Sequence, residues 1–215
     1  MSPPDPVAGA VFVIEDDASM RRSLERQLRT AGFDVETFVS AQDYLDREPR
    51  AEVACIVTDL RMPGLSGLDL QASLARADRA PPMVFISAHG DVATAVDAMR
   101  AGAVTFLRKP ITEAAILAAV TEALARSAAL ARSRRENATL LARCRSLTAR
   151  EREVFALAAA GILNKLIADR LGIAEKTVKQ HRGRVMEKMG AASIAELVRM
   201  AERLELHHSS NPSPD

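Results

Sequence analysis

The sequence predicts a doubly wound α/β domain, built on a five-stranded parallel sheet, followed by a small all-helical domain. Three observations predict it. Five short apolar runs, at 11–14, 35–38, 53–58, 83–87 and 104–107, alternate with helical patterns through the first half of the chain. Past Pro110 the strand-like runs stop, and one long Ala-rich helical stretch begins. From Ser146 onward only short helical segments follow. Strands alternating with helices form parallel sheets covered on both faces, and near-continuous apolar strands suit burial on both sides.

The first strand stands in "VFVIEDD", where four apolar residues stop at Glu15, Asp16 and Asp17. Crowded carboxylates beside a core repel one another and resist desolvation, so the cluster asks for a cation. The next stretch, "SMRRSLERQLRTAG", places Met20, Leu24 and Leu28 on one helical face, with Ser19 as the expected N-cap and Gly32 as the stop. "SAQDYLDRE", "SGLDLQASLARAD" and "DVATAVDAMRAG" each begin on a Ser or Asp suited to capping. The long helix is expected over 112–144, about 50 Å at 1.5 Å per residue. Leu117, Val120, Leu124, Ser127, Ala131, Arg134, Ala138 and Leu141 follow a 3-4 spacing along it, interrupted by Ser127 and Arg134. Two readings stay open for this stretch, a solvated connector and a dimeric coiled coil. In the last part "TARE" (148–151) and "SIAE" (193–196) match the capping box and mark two helix starts. Between them "NKLIADRLG" and "EKTVKQHRGRVMEKMG" read as a helix, a tight turn at Gly172 and a basic second helix. The tail "HHSSNPSPD" is polar, carries two prolines and is expected to be disordered.

The chain of 215 residues is long enough for one large domain or two small ones, and at 48% hydrophobic it can bury a sizeable core. It lacks Trp and has 3% aromatic residues, which argues against an aromatic platform for single-stranded nucleic acid. No apolar run reads as a membrane span and the opening decapeptide lacks a signal-peptide pattern, so a cytoplasmic location and no membrane partner are expected. Cys55 and Cys144 have no ligand-type spacing and indicate neither zinc nor a disulfide framework. The net charge of +1 hides an asymmetry. Residues 1–112 carry 12 basic and 16 acidic side chains, whereas 113–208 carry 17 and 11, so the second part is the one suited to a polyanion.

In open parallel sheets ligands bind beyond the carboxyl ends of the strands. Glu15 and Asp16 follow the first strand, Asp59 ends the third in "VTDLRMPG", Ser87 ends the fourth in "ISAHG", and Lys109 ends the fifth in "LRKP". With these five in order, residues 8–125 resemble a CheY-like receiver domain with a flavodoxin-like sheet. The resemblance implies that Asp59 accepts a phosphoryl group from a sensor histidine kinase. It also implies a Mg2+ ion held by Glu15, Asp16, Asp59 and the backbone carbonyl of Arg61. Ser87 and Lys109 are then the groups that meet the phosphoryl oxygens, and Phe106 the aromatic switch, whose bland reading is a core residue. Lys109-Pro110 resembles the family's cis peptide. Independently of the family, Mg2+ prefers oxygen ligands, and phosphoryl transfer onto a carboxylate needs positioning and charge neutralisation. Asp17 is left as a solvated spare, and His89 is assigned no chemistry. A dehalogenase-type phosphatase would need an aspartate where Arg61 stands, and no phosphate-binding G-x-x-x-x-G-K-[ST] loop is present.

The segment 147–201, with "LTAREREV", "NKLIA" and "KTVKQHR", resembles a LuxR-type helix-turn-helix domain, expected over 147–206. The two resemblances together are those of the FixJ/NarL group of response regulators. On the second basic helix Val178, Val185 and Met189 form an inward face, with His181 and Arg182 at its margins. Lys176, Gln180, Gly183 and Glu187 lie opposite, flanked by Lys179 and Arg184. The expected DNA-contacting residues are Asn164, Lys165, Lys176, Thr177, Lys179, Gln180, Arg182, Arg184 and Lys188, through phosphate and major-groove contacts. Ala174 stands where the family usually has a capping Ser or Asp, and Gly183 sits inside a helix at a cost of roughly 0.8–1 kcal/mol relative to Ala.

The expected protein is a phosphorylation-activated transcription factor and not a turnover enzyme. Its expected partners are a sensor histidine kinase, double-stranded promoter DNA, a second copy of itself on phosphorylation, and RNA polymerase. The stretch 126–146 is expected to link the domains, and 207–215 to be the tail. A phosphate-sink receiver and a phosphorylation-independent DNA-binding protein are the competing readings.

Overall fold

The computed structural model describes residues 9–47, 51–76, 80–88 and 92–210. Five strands, β1 (Ala10–Ile14), β2 (Asp34–Phe38), β3 (Ala54–Asp59), β4 (Met83–Ser87) and β5 (Thr105–Arg108), form one parallel sheet of order β2-β1-β3-β4-β5. Strand order reverses between β1 and β3, so a crevice opens beyond their carboxyl ends. Register is set by direct pairing, with Ile14 opposite Thr58 and Asp59 opposite Ile86. The period of two divides the strands between two cores. Val11, Val13, Cys55, Val57, Val84 and Ile86 face one layer, and Phe12, Ile14, Ala54, Ile56, Met83 and Phe85 face the other.

The helices of this unit are α1 (Ala18–Thr30), α2 (Ala41–Leu45), α3 (Gly67–Leu74), α4 (Val92–Arg100) and the first part of α5 (Glu113–Arg145). Leu24 and Leu28 of α1 and Ile116, Ala119, Val120, Ala123 and Leu124 of α5 fill the first core. Leu70 of α3 and Ala98 of α4 fill the second, with Phe106 packed at its edge. Ser40 and Ser66 cap α2 and α3, as their sequences predict. The cap of α1 differs from expectation, because Asp17 rather than Ser19 accepts the Met20 N–H, at 2.7 Å. A carboxylate is the stronger acceptor, and Ser19 instead donates its hydroxyl to Asp17. The spare acid of the opening cluster is therefore a helix cap. His89 and the predicted cap Asp91 lie outside the described residues.

Backbone contacts divide the chain into two compact units between Arg132 and Ser133, inside α5. The second holds the end of α5 with α6 (Ala149–Ala159), α7 (Asn164–Leu171), α8 (Glu175–Met189) and α9 (Ile194–Ser210). Val154, Phe155, Ile167, Val178, Val185, Met189 and Leu197 form its core. Thr148 and Glu151 make the predicted capping box. At the second predicted box, Ser193 accepts from Glu196 N–H, but the Glu196 carboxylate accepts from Ala192 rather than Ser193. Gly172 and Gly190 close α7 and α8 in the left-handed conformation, at φ 63° and 68°.

Val120, Leu124, Ser127 and Ala131, which lie on the 3-4 spacing of α5, are buried within the chain, and Leu140 joins the C-terminal core. The Ser127 interruption is explained, since its hydroxyl accepts the buried Ala54 N–H at 3.0 Å at the start of β3. Contrary to expectation, α5 is long and apolar enough, by length and composition, to cross a membrane. Its first turns present their apolar face to the first core, where Ile116, Ala119, Val120, Ala123 and Leu124 pack with the strands. At the other end α9 runs to Ser210, four residues into the stretch expected to be disordered, and 211–215 lie outside the described residues.

Candidate functional site

The carboxyl ends of β1, β3, β4 and β5 bring Glu15, Asp16, Asp59, Ser87 and Lys109 to one crevice. Carboxylate oxygens of Glu15, Asp16 and Asp59 all lie within 4.8 Å of one another. Glu15 is 1% exposed and Asp59 8%, while Asp16 is open to solvent. Between the two buried acids lies Lys109, its Nζ 2.8 Å from Glu15 Oε2 and 2.6 Å from Asp59 Oδ2. The other Asp59 oxygen, Oδ1, accepts the Arg61 N–H at 3.0 Å. Lys109 is held through its backbone too, donating N–H to the carbonyl of Ser87 at 2.8 Å. The Lys109-Pro110 bond that follows is cis. Ser87 is buried at the end of β4, and Phe106 is half-buried on β5 opposite Phe85.

The electrostatics follow from that burial. Desolvation pushes the Glu15 carboxyl above its ordinary value, outweighing the Lys109 hydrogen bond and charge that pull it down. Desolvation alone would lower the Lys109 ammonium, but hydrogen bonds to Asp59 and Glu15 and their negative charge carry it above its ordinary value. Asp17, outside the crevice, is held below the usual carboxylate range by the Ser19 hydroxyl and the Met20 N–H.

Two further residues shape the crevice and carry no clear signal in the sequence. Arg21 of α1 reaches back, its Nη1 donating to the carbonyls of Glu15 at 2.7 Å and Asp16 at 3.2 Å. It is one of four arginines on that helix, and only the fold shows which one turns inward. Gly67 opens α3 so close to β3 that a Cβ there would lie 2.5 Å from the Asp59 carbonyl and 2.9 Å from the Phe85 ring.

In the second unit, α7, the turn at Gly172 and α8 form the predicted helix-turn-helix. Lys176, Lys179, Gln180 and Arg184 are exposed on α8, and Lys165 is exposed at the start of α7. Lys179 pairs with Glu175 at 3.1 Å along the helix. Thr177 is half-buried, and Arg182 donates to the Asn164 side-chain oxygen at 2.8 Å, joining α8 to α7. Asn164, Lys165, Glu175 and Arg182 line an open cleft of about 450 Å³ where the two helices begin. Neither helix has a side-chain N-cap, as Leu163 and Ala174 stand in those places. Lys188 is placed otherwise than expected. Its ammonium bonds to Glu151 Oε2 at 2.6 Å and to the Ser146 carbonyl at 3.3 Å, so it is committed inside the unit.

A parallel α/β unit with an acid-lysine crevice, followed by a helix-turn-helix unit, is the architecture of a response regulator that controls transcription. The model of the response regulator receiver domain matches residues 11–121, and that of the luxR family of bacterial regulatory proteins matches 145–201. The chain belongs to this family, in the FixJ/NarL group of two-component response regulators with a LuxR-type DNA-binding domain. It is 46% identical to nodulation protein W of Bradyrhizobium diazoefficiens, over 90% of this chain and 86% of that one. To the transcriptional regulatory protein FixJ of the same organism it is 42% identical, over 91% and 95%. Among solved structures, the response regulator StyR matches with a TM-score of 0.80 at 45% identity, over 90% of this chain and 98% of that one.

Proposed function

We propose that Asp59 is the phosphorylated residue of this transcription regulator, and that its crevice takes Mg2+ through Glu15, Asp16, Asp59 and the Arg61 carbonyl. The observation that carries this is the convergence of three carboxylates within 4.8 Å, two of them buried, with Lys109 between them. The donor set fits the ion, since it is all oxygen and hard, and the buried Glu15 carboxyl is held up by desolvation that one lysine does not offset. Bound there, Mg2+ would neutralise phosphoryl oxygens.

The chain's own residues do the rest. An Asp59 carboxylate oxygen forms a bond to phosphorus as the P–N bond to the kinase histidine breaks and the imidazole leaves. Lys109, already 2.6 Å from Asp59, balances the charge that arrives. Ser87 donates its hydroxyl to a phosphoryl oxygen and draws its loop inward, and Phe106, half-buried beside Phe85, turns into the space so opened. The resulting state dimerises through α4, β5 and the start of α5. Two helix-turn-helix units then engage paired half-sites on promoter DNA in the cytoplasm, where RNA polymerase is the downstream partner. Each pair of α7 and α8 sets its exposed basic residues on the duplex, and their uncapped N-termini face phosphates.

Acetyl phosphate with Mg2+ is expected to label the chain on Asp59, and Asp59→Asn to abolish labelling. Labelling that persists in the variant overturns the assignment. Sedimentation of phosphorylated and unphosphorylated protein tests the dimer, and an unchanged oligomer overturns that part.

A further inference from the structure

We infer that the last turns of α5 set the recognition helix α8 in place, with Arg143 as a positioning residue for DNA reading. Arg143 precedes the matched LuxR-type segment, which begins at 145, and lies in the stretch that the sequence presents as a connector. Its Nη1 donates to the carbonyl of Met189, the last residue of α8, at 2.9 Å. That carbonyl is one of the four that a helix end leaves without an internal partner. Gly190 makes room for the bond. Its φ of 68° ends the helix, and a Cβ there would lie 2.7 Å from Arg143 Nη1.

A second cation runs the opposite way. Lys188, in the last turn of α8, donates to the carbonyl of Ser146, the residue that follows α5, at 3.3 Å, and pairs with Glu151 at 2.6 Å. Two helix carboxyl ends, each with partial negative charge, thus meet with a cation of one helix on a carbonyl at the end of the other. Leu140 and Leu147 are buried in the same core as Val185 and Met189. Arg203 of α9 holds the preceding turn, at 2.6 Å from Asn137 and 3.3 Å from Glu136. Residues 136–147 are therefore part of the DNA-binding unit, and α8 is held by α5 directly as well as through α6 and α7.

The inference rests on α8 being the helix that reads the groove. Base-edge contacts require α8 in register, whereas phosphate contacts tolerate small shifts. Losing the Arg143 bond should therefore reduce discrimination between sequences more than affinity for DNA in general.

The test uses the full chain, a duplex selected by the unsubstituted protein from a random library, and a random duplex of the same length. Arg143→Met is compared with Arg145→Met, which removes the same charge two residues on. Arg143→Met is expected to lower the ratio of selected to random binding about tenfold. Arg145→Met should leave that ratio unchanged, both should bind random duplex alike, and Arg143→Lys should restore part of the ratio. Equal ratios for Arg143→Met and Arg145→Met overturn the inference while leaving the groove-reading assignment of α8 intact. If the unsubstituted chain selects no sequence, both fall. Amide exchange of the full-length variant gives a second readout, independent of DNA: faster exchange at 187–191 in Arg143→Met supports the inference, and unchanged exchange overturns it.

Discussion

Glu151 Oε2 lies 2.6 Å from Lys188 Nζ, and this pair ties the first turn of α6 to the last turn of α8 with the carboxylate 2% exposed. Lys188, joined by the Thr148 N–H, pulls the Glu151 carboxyl from 4.5 down to about 2. Between those values the unfolded chain holds a proton that the folded chain lacks. The pair's contribution is therefore complete above pH 4.5 and fades as pH falls toward 2. Lys188→Met is expected to lower the melting temperature of the C-terminal unit at pH 7, with the gap to the unsubstituted protein closing toward pH 2. Circular dichroism melts across that range check it, and a gap independent of pH would count against the pair.

The same placement separates Lys188 from the exposed cations of α8. Lys176→Met or Arg184→Met is expected to reduce the slope of log affinity against log salt by about one, as loss of one phosphate contact does. Lys188→Met should leave the slope unchanged. Fluorescence anisotropy titrations at several salt concentrations give the slopes.

Ser127 is the lone polar side chain of α5 buried against the sheet among the described residues, and its hydroxyl accepts the Ala54 N–H. Ser127→Ala strands that donor, at an expected cost of about 1–3 kcal/mol to the α/β unit. Urea unfolding with an unchanged slope and an earlier midpoint is the expected result.

Burial pushes the Glu15 carboxyl up, so the folded state is penalised for its charge once pH exceeds the unfolded value, and fully so above the folded one. Glu15→Gln removes that penalty while Lys109 keeps Asp59 as partner. In chelator at pH 8 the variant is expected to melt higher than the unsubstituted protein. Addition of Mg2+ should raise its melting temperature less, because one of the proposed ligands is gone. A variant that melts lower in chelator contradicts the assignment of burial as the dominant effect.

Gly183 lies on the exposed side of α8, and among the described residues nothing beyond its own stretch of helix lies within 4 Å of where its Cβ would be. Gly183→Ala is expected to stabilise the C-terminal unit by about 0.8–1 kcal/mol through helix propensity. The open site suits close approach to a base edge, so the more stable variant is expected to lose affinity for the selected duplex. Unchanged affinity and sequence preference would sink that reading of the glycine.

The strands and the order of the crevice residues were legible in the sequence because their signals are local. Apolar runs mark buried strands, and chain order at strand ends follows directly. Side-chain direction was not legible in the same way. Ser19 was the expected cap for α1 and Asp17 a solvated spare, and only the placed helix start shows that Asp17 accepts the Met20 N–H. Nothing in "RRSLERQLR" distinguishes Arg21, and nothing in "EKMG" shows that Lys188 turns toward Glu151.

By itself the sequence determined the α/β and helix-turn-helix classes, the acidic turn after β1, Asp59 and Lys109 as strand-end groups, and the basic face of α8. These rest on periodicity, capping and spacing, which act over a few residues. Tertiary structure decided which polar groups meet: Lys109 with Glu15 and Asp59 across 94 and 50 positions of chain, Ser127 with the Ala54 N–H, and Arg143 with the Met189 carbonyl. Such pairs answer to burial, where an unpaired charge or donor is costly, and only the packed chain determines which groups are buried together.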